Sequence, residues 1–215
     1  MFSTRDIQAR CNALGHNAGR VDGMMGPKTR KALQDAMEAE CVSRFTHLFH
    51  PSGVHRIHLH WSAGAYGVIS MERRAYNGLV DQDGNRHDGV FAFNTQGTYR
   101  ADRAASHTLN ANSGALGLCA DAMAGAKERP LDWGSAPMTV PQVKELCQWA
   151  AELAEFYDIP VSRWSILTHA EVQPTLGIRQ RFKWDITCLP GDNAVRDPIV
   201  VGDELREMIS ERMTA

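Results

Sequence analysis

Residues 56–64, RIHLHWSAG, decide how the chain is read. Ile57, Leu59 and Trp61 alternate with His58 and His60, the period-two pattern of a strand whose two faces differ in chemistry. One face is apolar, and the other presents two imidazoles from a strand that belongs in a core. Titratable rings in such a place need partners. Residues 163–169, RWSILTH, read as a second buried strand that delivers His169 at its end. Residues 180–191, QRFKWDITCLPG, then offer Lys183, Asp185 and Cys188.

The segments around this strand alternate between strand and helix signals. AYNGLVDQDGNRHDGVFAF (75–93) reads as two strands joined at Asp83-Gly84, a strong hairpin signal. GALGLCADAM (114–123) is a compact apolar run suited to a central strand. TVPQVKELCQWAAELAEFYDIP (139–160) is an amphipathic helix, with Thr139 as its cap and Pro141 in its first turn. Its stripe is Val143, Leu146, Trp149, Ala150, Leu153, Phe156 and Tyr157, and Pro160 stops it. GDELREMISERM (202–213) reads as a closing helix. The expected fold class is α/β, a mixed central sheet flanked by helices.

A small all-helical module, residues 1–42, precedes this domain of residues 43–215. Ser3 is positioned to cap a helix carrying Ile7, Cys11 and Leu14 and ending at Gly15. Gly23 and Gly26 mark turns, and Pro27 opens a second helix whose buried stripe is Ala32, Leu33, Ala36 and Met37. Two short helices bury little surface, so a third element or the larger domain must cover them.

The totals exclude several classes of function. A chain of 215 residues with 23 basic and 25 acidic side chains has a formal charge of −2, which gives nucleic acid no electrostatic reason to bind. No apolar run is long enough to insert in a membrane, and MFSTRDIQARCNALG lacks the core of a secretory signal. Five cysteines without a CxxC pair fit free thiols in a reducing cytoplasm.

A zinc hydrolase needs three protein ligands and one open position. His60 and His169 stand at strand positions followed by loop-like sequence, and Asp185 and Cys188 lie downstream, but spacing alone cannot pair ligands a hundred residues apart. A lysine two residues before a carboxylate ligand is useful, because a nearby cation stabilises a developing oxyanion.

Here sequence resemblance adds to the reading. IHLHWSAG, AYNGLVDQDG, ASHTLNANSGALGLCAD, ILTHAEV and KWD occur in the order found in the zinc N-acetylmuramoyl-L-alanine amidases. This type 2 amidase family also includes the peptidoglycan-recognition proteins. The resemblance covers roughly residues 54–190. It implies Zn2+ held by His60, His169 and Asp185, with Lys183 beside them and Tyr76 at the active site. It also implies His107 and Asn112 beside the substrate cleft. The loop from His169 to Lys183 is longer than in many members, and the Pro-Gly after the third ligand is displaced to CLPG. Cys188 is therefore a rival ligand, and the Lys-x-Asp spacing favours Asp185. ALGHNAGRVDGMMGPKTRKAL (13–33) resembles the three-helix peptidoglycan-binding module found beside many cell-wall hydrolases. The plainer reading is a helical hairpin that only stabilises its neighbour.

Other candidates keep two readings. His58 is a group behind a ligand or merely packed, and His47, His50, His55 and His87 are expected on the surface. Glu171 is a proton carrier or a helix cap, and it shares with Tyr76 the candidacy for general base. Trp184 is a core residue by default or, lying between two site residues, lines the sugar cleft. The resemblance as a whole implies a phage-type endolysin, monomeric, stored in the cytoplasm and acting on bacterial peptidoglycan after release. Two alternatives are a cytosolic amidase that recycles soluble muropeptides and a non-catalytic recognition protein.

Overall fold

In the computed structural model the described residues are 4–40, 45, 48 and 53–213. Ser3, His47 and His50 lie outside them, as does the expected boundary after residue 42. At the front, α1 (Thr4–Ala13) and α2 (Pro27–Ala39) pack together. Gly15 follows α1 with φ +87°, the left-handed conformation that ends helices. Pro27 opens α2, where its missing N–H costs no hydrogen bond. Ile7, Cys11, Ala18, Ala32, Ala36 and Leu48 form a hydrophobic cluster of their own. Leu48 closes that cluster from beyond residue 42 and supplies the third element that two short helices require.

The larger part begins with β1 (Arg56–Trp61), buried along its whole length. It continues through α3 (Ser70–Ala75), β2 (Gly78–Val80), β3 (Arg86–Asp88) and a 3-10 turn at Phe93–Thr98. β4 (Ala115–Ala120), α4 (Val140–Phe156), β5 (Ile166–Thr168), α5 (His169–Leu176) and α6 (Pro198–Met213) complete it. The five strands form one mixed sheet in the order β3-β2-β4-β1-β5. β1 is flanked by β4 and β5, both parallel to it, and only the β2–β3 hairpin is antiparallel.

The apolar face of β1 explains the helix layer. Ile57, Leu59 and Trp61 share one core with Val143, Leu146 and Trp149 of α4 and with Leu205 and Ile209 of α6. Thr139 caps α4 by accepting from the Gln142 backbone N–H at 3.3 Å, and Gln142 returns a bond to the Thr139 N–H at 2.9 Å. With that face committed to α4 and α6, His58 and His60 point to the other side of the sheet. Loop and helix-start residues cover them there.

His55 and His87 are not free surface residues. His55 is 6% exposed, with Nε2 3.2 Å from a Glu40 carboxylate oxygen, and the Arg56 guanidinium donates to the Glu40 carbonyl. His87 is half-buried between Asp81 and Arg73.

Candidate metal centre

The centre forms where parallel strands end. His60 lies near the C-terminal end of β1, and His169 follows directly after β5 as the first residue of α5. Asp185 comes from the segment after the 177–183 loop, and its backbone carbonyl accepts from Ala170 N–H, which ties that segment to the start of α5. Asp185 Oδ2 stands 3.0 Å from His60 Nδ1 and 3.1 Å from His169 Nδ1. All three residues are buried, and the ligand atoms they offer lie within 4.8 Å of one another.

The bonds behind these rings fix which nitrogen carries the proton. Gln180 donates its amide to the Leu109 carbonyl at 2.9 Å, so its Oε1 is the atom facing His169 Nε2 at 3.1 Å. His169 must then donate from Nε2. His107 places Nε2 3.1 Å from the Ala115 carbonyl, where it donates, leaving its Nδ1 to accept from His60 Nε2 at 3.1 Å. In their neutral forms both rings therefore turn an unprotonated Nδ1 towards the Asp185 carboxylate. Three acceptors converge with no donor between them, which is an arrangement that a cation satisfies.

The titration of these groups agrees. Burial lowers His60 to about 4, helped by the neighbouring His169 and Lys183 against the pull of Asp185. Burial works upward on Asp185, but whenever His169 or His60 takes up a proton on the facing Nδ1 its charge and hydrogen bond outweigh that effect, and the carboxyl is held at about 2. Neutral imidazoles and an ionised carboxylate are the forms that bind metal. A tetrahedral zinc with bonds of about 2.0–2.1 Å would separate its ligands by roughly 3.3 Å, close to the two distances given above. The donor set therefore fits zinc.

Several residues singled out in the sequence take other places. Cys188 is wholly buried in the main core, where burial pushes its thiol up to about 12, and it is not in the donor cluster. Glu171 is not a proton carrier in the cleft. Its carboxylate accepts from the Thr168 N–H at 2.8 Å and from Arg206 at 2.8 and 3.1 Å, with no exposed surface. Gly202 of α6 faces this pair, and any side chain there would collide with the carboxylate.

Trp184 packs edge-on against Trp61 at 4.7 Å between ring centres, on the core side rather than in a sugar cleft. His107 has both ring nitrogens engaged internally and supports His60, and together with Asn112 it also lines a second cleft of about 500 Å³. Asn112 accepts from the His107 and Thr108 backbone N–H groups through Oδ1, so it shapes the loop that carries them. Tyr76 remains beside the centre, with its ring 5.2 Å from that of His60. Burial, with Cys119 and Asp185 nearby, raises its hydroxyl far above the ordinary value, so it donates hydrogen bonds and is no general base near neutral pH. His58 is a packed residue of the same cluster: Nδ1 sits 3.0 Å from Thr108 Oγ1, and Nε2 has no partner among the described residues.

Gln180, Thr108 and Gly117 were not anticipated from the sequence. Gly117 lies on β4 opposite His58, and a Cβ there would stand 2.5 Å from the His107 ring. A glycine inside an apolar strand is the one signal that marks such a close approach. Beside the centre opens a cleft of about 930 Å³, lined in part by Leu109, Ala170, Gln180 and Lys183.

No family model and no curated protein matches the chain. Among solved structures, it resembles the Staphylococcus aureus hydrolase AmiA, crystallised with its ligand. The TM-score is 0.50 at 14% identity over 75% of this chain and 74% of that one. That likeness defines a shared fold, a mixed α/β sheet flanked by helices. The N-acetylmuramoyl-L-alanine amidase LysC from Clostridium intestinale URNW gives a TM-score of 0.44 at 15% identity, over 74% of this chain and 88% of that chain. Human PGRP-IBETAC, in complex with a glycosamyl muramyl pentapeptide, gives 0.39 at 18% identity over 66% and 80%.

Proposed function

We propose that the chain is a zinc-dependent N-acetylmuramoyl-L-alanine amidase that hydrolyses the amide between the lactyl group of N-acetylmuramic acid and L-alanine. The observation that carries this reading is the convergence of His60 Nδ1, His169 Nδ1 and Asp185 Oδ2 beside a cleft, in a fold shared with a hydrolase. The ordered segments that resemble the type 2 amidases support it independently. We further propose that residues 1–42 bind the cell wall and that the whole acts as an endolysin on intact peptidoglycan. Binding by such a module raises the local concentration of enzyme on a polymeric substrate. No helix among the described residues is long and apolar enough to cross a membrane.

Zinc held by the three residues would supply an activated water and polarise the scissile carbonyl. The remaining work falls to the chain. His107 and Gln180 hold the two imidazoles in the ligating tautomer. The Lys183 ammonium, exposed at the cleft and close enough to affect His60, stands ready to stabilise the oxyanion. Tyr76 adds a hydrogen-bond donor next to His60.

The test is release of new L-alanine amino termini from purified sacculi, with zinc measured on the same samples. Asp185→Ala is expected to lose both zinc and release, while Cys188→Ala keeps both if it folds. Loss of zinc in folded Cys188→Ala, with retention in Asp185→Ala, would overturn the ligand set. A zinc-loaded protein that releases nothing would overturn the amidase.

A further inference from the structure

The loop that follows α5, residues 177–183, is tied down at its centre. Gln180 turns inward to His169 and Leu109, and its backbone N–H donates to Gln173 Oε1 at 2.8 Å. Its two neighbours, Arg179 and Arg181, are exposed and line the 930 Å³ cleft together with Lys183. No acidic residue lines that cleft, and none of the three cations has a carboxylate partner among the described residues. Three positive charges within five residues run against a chain whose net charge is −2. Phe182, between them, is 100% exposed and also lines the cleft. A fixed, unneutralised cationic shelf with one open aromatic ring is built for an anionic ligand of some length.

We propose that Arg179 and Arg181 form a subsite for the acidic stem peptide, binding its carboxylates while Phe182 contacts the peptide chain. This rests on the peptidoglycan amidase reading, and it adds an orientation to it. The amide-linked glycan is uncharged, whereas the stem peptide carries the α-carboxylate of its γ-linked D-glutamate and a C-terminal carboxylate. Charge therefore sorts the two halves of the substrate, with the peptide on the 177–183 side and the glycan on the other side of the metal centre. Arginine suits this task because its planar fork meets a carboxylate with two parallel hydrogen bonds. The subsite selects for walls whose glutamate is free over walls in which it is amidated.

The experiment titrates the full chain with L-alanyl-γ-D-glutamyl-L-lysyl-D-alanine and with the same peptide amidated at both carboxyls. Neither contains the scissile bond, so binding is read without turnover. The free acid should bind about tenfold more tightly at low salt, the gain expected of two largely exposed charge pairs. That gap should shrink as salt rises and vanish in the Arg179→Gln/Arg181→Gln double variant. Equal binding of the two peptides by the unmodified chain would overturn the subsite whether or not the variant folds. A gap that survives in a folded double variant would overturn it too. So would binding of poly(glycerol phosphate) with no binding of either peptide. Sacculi assayed alongside separate the two claims. Release of L-alanine termini without a carboxylate preference removes the subsite alone, and no release at all removes the amidase reading.

Discussion

His60 illustrates how a ligand is prepared from behind. Its Nδ1 is free for a metal because Nε2 has an acceptor in His107, and His107 accepts only because its own second nitrogen donates to the Ala115 carbonyl. Gln180 does the same for His169. Such supporting groups typically matter about 10–100-fold in metal affinity. His107→Ala and Gln180→Leu should each weaken zinc binding by that order in competition with a chromophoric chelator, with the fold intact by circular dichroism. Unchanged affinity in both would mean that the rings are oriented by packing alone. Little of this support could be read in the sequence. His60, His169 and Asp185 stand in recognisable local patterns, but the role of His107 depends on a contact across 47 residues and on the absence of a side chain at Gly117.

At the scale of elements, α4 and α5 differ in how much their sequences disclose. In α4 the cap, the proline and the apolar stripe all point to the same helix, and the structure has it over Val140–Phe156. α5 is eight residues long with Pro174 inside it, and its Glu171 fits a capping box as well as it fits a catalytic carboxylate. The deciding partner, Arg206, lies 35 residues further on. Breaking a buried pair by removing one charge costs about 3–5 kcal/mol, because the other charge is left buried. Asp203 also pairs with Arg206, so Glu171→Gln should fall near the lower end, about 3 kcal/mol by urea denaturation. Zinc stoichiometry in the folded fraction should hold. Lost turnover at unchanged stability would instead return Glu171 to the chemistry.

The whole molecule is assembled around an unusual interior. Burial lowers His58, His60 and His107 below the ordinary histidine value, so all three are neutral in the fold and chargeable in the unfolded chain. A group with a depressed folded pKa contributes stability that is complete above its unfolded value and lost as pH falls below it. Each ring should remove about 1.4 kcal/mol per pH unit between about 6.5 and its folded value, which is about 4 for His60. The urea midpoint of chelator-treated protein should therefore drop steadily from pH 6.5 to 4.5. A flat midpoint across that window would mean that the rings are solvated. The sheet itself was legible, because β1, β4 and the hairpin each have a local signature. The parallel order β2-β4-β1-β5 was not, since strand neighbours far apart in sequence leave no periodic trace. The same long reach governs when the centre can exist. Asp185 meets His60 across 125 residues. During synthesis His60 and His169 are both made before Asp185, so these three donors cannot meet until residue 185 has been added. A nascent chain stopped short of Asp185 therefore lacks one of the three converging donors, and capture of a metal there would report that the strand ends and the late segment have come together.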